Sequence, residues 1–131
     1  MRLSALLFSL CVLLLSSTCR NDSGSATELK MKMLYRTWLH AHEEDQGDIR
    51  VYRPNTYNFP PSRGRTGFAF EQNGLFTQYD IAPTDGIEGR KGTWTPVNDN
   101  TLRISLEDKK DPDYQLEIVS LENDVLKVRQ K

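Results

Sequence analysis

His40 and His42, the only histidines of the chain, are separated by one residue, so on an extended strand both imidazoles would share a face. Two imidazoles at that spacing can grip a transition metal, and Glu43 and Glu44 follow directly as conceivable further ligands. No third ligand stands at a telling spacing. The pair therefore reads as strand-end histidines making ordinary hydrogen bonds, and neither a metal nor another cofactor is expected. Arg63 and Arg65 flank Gly64 on a proline-stiffened stretch, where two guanidiniums could clamp a carboxylate or phosphate. They could equally pair internally with Glu43, Glu44, Asp80 or Asp85 and pin the loop. Asp80, Asp85 and Glu88 gather around one turn, without the alternation of a calcium loop. No serine sits in a glycine-flanked elbow, so catalysis is not expected; a metal enzyme using His40, His42 and a carboxylate is the outside alternative.

Aromatic residues are numerous for so short a chain: Trp38, Trp94, Tyr57, Phe59, Phe68, Phe70, Phe76, Tyr79 and Tyr114. They could line a pocket for an apolar ligand or simply form the core.

The elements that would position these residues are short. From Thr37 onward, β-branched, aromatic and alternating runs are separated by turn residues every eight to twelve positions, which is an all-β signal. The runs are Thr37–Glu43, Asp48–Arg53, Gly67–Gln72, Leu75–Ile81, Gly92–Val97, Thr101–Leu106, Tyr114–Leu121 and Val125–Gln130. Asn73-Gly74 is a strong hairpin signal, because both central positions of a type I′ turn need positive φ. Asn98-Asp99-Asn100 and Glu122-Asn123-Asp124 act similarly. Alternation puts Leu102, Ile104 and Leu106 on one side of a strand, Tyr114, Leu116 and Ile118 on one side of the next, and Leu126 with Val128 on one side of the last. One dry and one wet face suit an eight-stranded antiparallel up-and-down barrel. The long exception is Pro54–Thr66, where Pro54, Pro60 and Pro61 remove ladder donors and make an ordered excursion, a place where recognition often lives. Glu28–Leu34 is rich in helix formers and reads as a short capping helix.

The chain has 131 residues and a formal net charge of −1, with no basic run long enough to track phosphates, so one domain is expected and nucleic acid is not. Met1-Arg2, the apolar Leu3–Leu15 and the small residues Ser16-Ser17-Thr18 read as a signal over 1–18, with a flexible tether over 19–27 and the domain over 28–131. Cys11 would leave with the signal. Cys19 would then be the lone cysteine of the mature chain, and thioether lipidation would cap it. The Leu15–Cys19 stretch resembles the signals of bacterial lipoproteins, with Leu15 one position farther from the cysteine than in the usual box. Cleavage after Ala26, giving a periplasmic or secreted form, is the alternative.

Trp38 in the opening strand, Gly92-Thr93-Trp94 at mid-domain, the Thr101–Leu121 hairpin and the final Leu126-Lys127-Val128 together resemble bacterial lipocalin-like, calycin-type domains. Val51–Pro54 through Phe59–Phe68 is similar to a stretch shared by small exported bacterial proteins of that kind. The resemblance implies a lipocalin-like barrel and defines no activity.

The reading that follows is a non-enzymatic, monomeric binding module anchored in the cell envelope, for a small amphipathic ligand or an envelope protein. Tyr57, Phe59, Arg63, Arg65 and Trp94 are its candidate contacts. A structural or inhibitor-like envelope protein acting through its surface is the alternative.

Overall fold

The computed structural model describes residues 22–131; the expected signal over 1–18 and Cys19 lie outside the described residues. Helix α1 (Asp22–Leu34) begins six residues ahead of the expected Glu28, so the stretch read as tether is helical from Asp22 onward. Its last carbonyls find donors immediately. The Arg36 amide donates to the Leu34 carbonyl at 2.7 Å, and so does the Trp38 indole Nε1 at 3.1 Å. Leu34 and Trp38 are wholly buried, which makes α1 a plug at one end of the fold. Among the described residues no helix is long and apolar enough to cross a membrane.

Eight strands follow: β1 (Thr37–His40), β2 (Arg50–Pro54), β3 (Gly67–Phe70), β4 (Leu75–Ile81), β5 (Ile87–Asn98), β6 (Thr101–Leu106), β7 (Tyr114–Glu122) and β8 (Val125–Gln130). They form a closed antiparallel barrel in the order β1-β2-β8-β7-β6-β5-β4-β3. The expected up-and-down order holds from β3 to β8 and fails at the start, because β1 lies between β2 and β3. Both are antiparallel to β1, so they run the same way, and the chain between them must travel back along β1. The proline-rich excursion is that return. The Asn55 amide donates to the Thr37 carbonyl at 3.1 Å and the His40 amide to the Thr66 carbonyl at 2.9 Å, so the segment is fastened at both ends of β1. It lies over the side of β1 that carries Thr37 and Leu39, opposite the inward Trp38.

The limits of β2, β3 and β7 shift from expectation by one or two residues, and those of β1 and β5 by more. β1 stops at His40 because buried Ala41 leads into a 3-10 turn at His42–Glu44, so the two histidines no longer share a strand, although their rings still meet edge-on with centroids 6.1 Å apart. β5 starts at Ile87, five residues before the expected Gly92, across a stretch with no inward apolar residue. Elsewhere alternation decides burial as expected: Leu102, Ile104 and Leu106 on β6, Leu116 and Ile118 on β7, and Leu126 and Val128 on β8 are all buried. Gly92 faces inward, opposite Phe76 and Leu106. A Cβ there would run into the Ser105 carbonyl, so glycine lets β5 and β6 pack this closely.

Candidate functional site

Strand register divides the barrel interior into two halves of different chemistry. Next to α1 the inward side chains are Trp38, Phe70, Phe76, Trp94 and Ile104, each at most 8% exposed. At the other end the same strands continue inward with polar residues. On β4 the inward series runs Phe76, Gln78, Asp80, and on β5 it runs Gly92, Arg90, Glu88, the two series being paired residue for residue. On β2 it runs Tyr52, Arg50, facing His40 on β1 and Val128 on β8.

These residues form a connected network. The Tyr114 hydroxyl donates to Gln78 Oε1 at 2.6 Å, joining β7 to β4 across the barrel. Gln78 Nε2 in turn donates to both Asp80 oxygens, at 3.1 and 2.9 Å. Arg90 Nη1 donates to Asp80 at 3.0 Å and to Asp111 at 2.9 Å, while its Nε and Nη2 hold Asp108 at 2.8 and 2.9 Å. One guanidinium thus serves three carboxylates, two of them on the β6–β7 loop, which is thereby tied down at the mouth. Arg90 pushes the Asp108 carboxyl well below its ordinary range, and the carboxylates push the Arg90 guanidinium up. Burial raises Tyr114 and Tyr52, reinforced for Tyr114 by its neighbours Tyr52 and Asp80, so both hydroxyls keep their protons at neutral pH.

The mouth encloses a cavity of about 550 Å³. Arg50, Tyr52, Gln78, Asp80, Asp111 and Tyr114 supply its polar lining, and Phe68 and Leu116 its apolar floor. Tyr52 is held between His40 and Phe68, with ring centroids 5.1 and 4.5 Å away. The arrangement can receive a small molecule with an apolar body and hydrogen-bonding or charged ends.

Of the residues singled out from the sequence, Phe68, Asp80 and Tyr114 line this cavity, whereas the five candidate contacts do not. Tyr57, Phe59, Arg63 and Arg65 lie on the strap outside β1. Arg65 is consumed internally: it grips Glu43 with two nitrogens at 3.0 and 2.6 Å, donates to the His40 and Pro60 carbonyls, and stacks over Phe59 at 4.6 Å. That contact holds the Glu43 carboxyl down to about 2. Arg53 covers Tyr57 in the same way, at 4.3 Å. Arg63 is exposed. Trp94 belongs to the plugged end, where its indole nitrogen donates to the Glu71 carbonyl at 2.9 Å and its ring packs on Tyr35 and Phe70. His40 Nε2 bonds to the Asp45 carboxylate at 2.9 Å, which also accepts the Val51 amide, whereas His42 reaches Ser62 at 3.4 Å. Among the described residues no group of three or more His, Cys, Asp or Glu side chains could hold a metal.

Arg50, Tyr52, Gln78, Arg90 and Asp111 were missed as site residues because hydrophobic alternation does not mark an interior that is polar. A usable signal existed in Phe76-x-Gln78-x-Asp80, where polar residues continue the parity of a core aromatic. Compared with known proteins, the chain matches no family model, and no curated protein and no solved structure matches it.

Proposed function

We propose that this protein is a non-enzymatic, lipocalin-like binding module that takes a small amphipathic ligand into the polar mouth of its barrel. The observation that supports this reading is the division of the interior: a packed apolar half below a cavity of about 550 Å³ with hydrogen-bonding walls. A barrel serving only as a rigid frame could fill throughout with apolar side chains. The test is titration with the amphipathic dye anilinonaphthalene sulfonate, read by its fluorescence. We expect one site per chain, abolished by Thr66→Trp, which fills the mouth, and unaffected by Arg63→Ala on the strap. Saturable binding that survives Thr66→Trp, or none by the wild-type protein, would remove the reading.

A second reading, an envelope protein acting through its surface, is favoured by one feature. Ile81 and Ile87, a cross-strand pair at the end of β4 and β5, are about half exposed beside Gly64 of the strap. Loss of dye binding on Arg63→Ala, with Thr66→Trp silent, would move the function to that face.

In either case the proposed address is the bacterial cell envelope, reached by export and held by a lipid on Cys19. Its support is the order of the N-terminal residues: Arg2, the apolar Leu3–Leu15, then small residues up to Cys19. Intact-mass measurement of the processed protein should give a chain beginning at Cys19 with a diacylglycerol added. A chain beginning after Ala26 would make it a secreted protein, and an unprocessed Met1 chain would end the export proposal.

A further inference from the structure

We infer that the mouth is built for an apolar zwitterion, of the class of a short peptide with free termini, its ammonium group toward Asp80 and Asp111 and its carboxylate toward Arg50. This rests on the cup reading above and specifies its ligand.

Charges of opposite sign stand on opposite sides of the ring. In the strand order β1-β2-β8-β7-β6-β5-β4-β3, β2 and β5 are four steps apart in either direction, so they face each other across the barrel. On the β5 side, Arg90 is shared among Asp80, Asp108 and Asp111, which leaves carboxylate charge in excess on that wall. On the β2 side, Arg50 faces inward from an exposed position and forms no ion pair among the described residues. The other charged groups of the lining are neutralised locally: Lys131 by Glu117, and Asp113 by Arg103 and Lys109. The mouth is thus negative at one wall and positive at the opposite one.

Tyr52 gives an independent indication. It is 6% exposed and lines the cavity, yet no acceptor among the described residues takes its hydroxyl proton. That hydroxyl opens on the cavity beside the Arg50 guanidinium, and the two together form a two-donor site for an incoming anion such as a carboxylate. Between the two walls lie Phe68 and Leu116, both buried, which suit an apolar body.

Charge separation then selects among zwitterions. In a single amino acid the two charges share one carbon and cannot reach opposite walls, whereas a residue of extended chain adds roughly 3.5 Å, placing dipeptide termini about 7 Å apart. The cavity volume of about 550 Å³ accommodates a ligand of that size.

The experiment is calorimetric titration with the dipeptide Leu-Phe in four forms: free, N-acetylated, C-amidated and doubly blocked. The free form should bind at least about tenfold more tightly than either singly blocked form, because each block removes one charge-assisted contact. Arg50→Gln should abolish the preference for the free carboxylate, and Asp111→Asn should reduce the preference for the free ammonium. Both residues are exposed, so the barrel should survive either change. Equal binding of the free and doubly blocked forms would overturn the zwitterion assignment while leaving the cup standing. So would the absence of binding by all four forms in a protein that still takes up the dye. Failure of the dye as well would overturn the cup itself.

Discussion

Trp38→Ala should lower the unfolding free energy by about 3–5 kcal/mol, the cost of emptying a large aromatic site in a packed core. Trp38 is wholly buried and sits where β1, β3 and the end of α1 meet, so three elements lose a shared contact at once. For a domain of this size that loss corresponds to a fall in melting temperature of at least about 12 °C. Trp38→Phe separates the two contributions of the side chain. It keeps most of the apolar volume and removes the indole bond to the Leu34 carbonyl, a loss of about 1 kcal/mol together with a small cavity. Thermal and urea unfolding read both variants. An alanine variant within 1 kcal/mol of wild type would show that the plugged end is not the structural centre described here.

Arg90→Met should release the β6–β7 loop. The guanidinium holds Asp80, Asp108 and Asp111 simultaneously with its own side chain only 11% exposed, and its removal leaves three carboxylates without their counter-charge. Amide exchange in the loop around Asp108–Asp111 should quicken by about tenfold or more, while exchange in the core strands β6 and β8 changes far less. Arg90→Lys should rescue little, because an ammonium cannot reproduce the fork that grips Asp108. Acid should imitate the substitution. The Asp108 carboxyl is depressed below its ordinary 3.8, so the loop gains stability above that value and loses it progressively as pH falls below about 4. Unchanged loop protection in Arg90→Met would mean that the loop is held by its own backbone and not by this cluster.

The contrast between these two residues explains what could be read in advance. Strands β4, β6 and β8 have the limits that alternation and turn chemistry give them: β6 and β8 through their apolar inward series, and β4 through the Asn73-Gly74 turn before it and the Pro83 turn after it. The same rule hides the first residues of β5. Its inward positions there are Glu88 and Arg90, which look like a solvated turn until β4 supplies their partners. The displaced β1 escaped for a different reason. Strand order depends on which edges meet in space, and local pattern is silent about that, although the length and prolines of the excursion marked where the meander breaks. The candidate contacts on the strap rest on residue type alone. Arg65 shows the weakness of that choice, since its guanidinium is already committed to Glu43 and two carbonyls.

Closure of the ring has one more consequence. Arg50 on β2 pairs with Val128 on β8, so the sheet returns to itself, and the edge left without a neighbouring strand is confined to short overhangs such as residues 87–90 of β5, which run past the end of β6. Adding a strand to a border, a common route by which sheets capture peptides and copies of themselves, would have to use one of these overhangs of about four residues. The handshake with a partner therefore falls mainly to side chains, at the rim or on the outer wall.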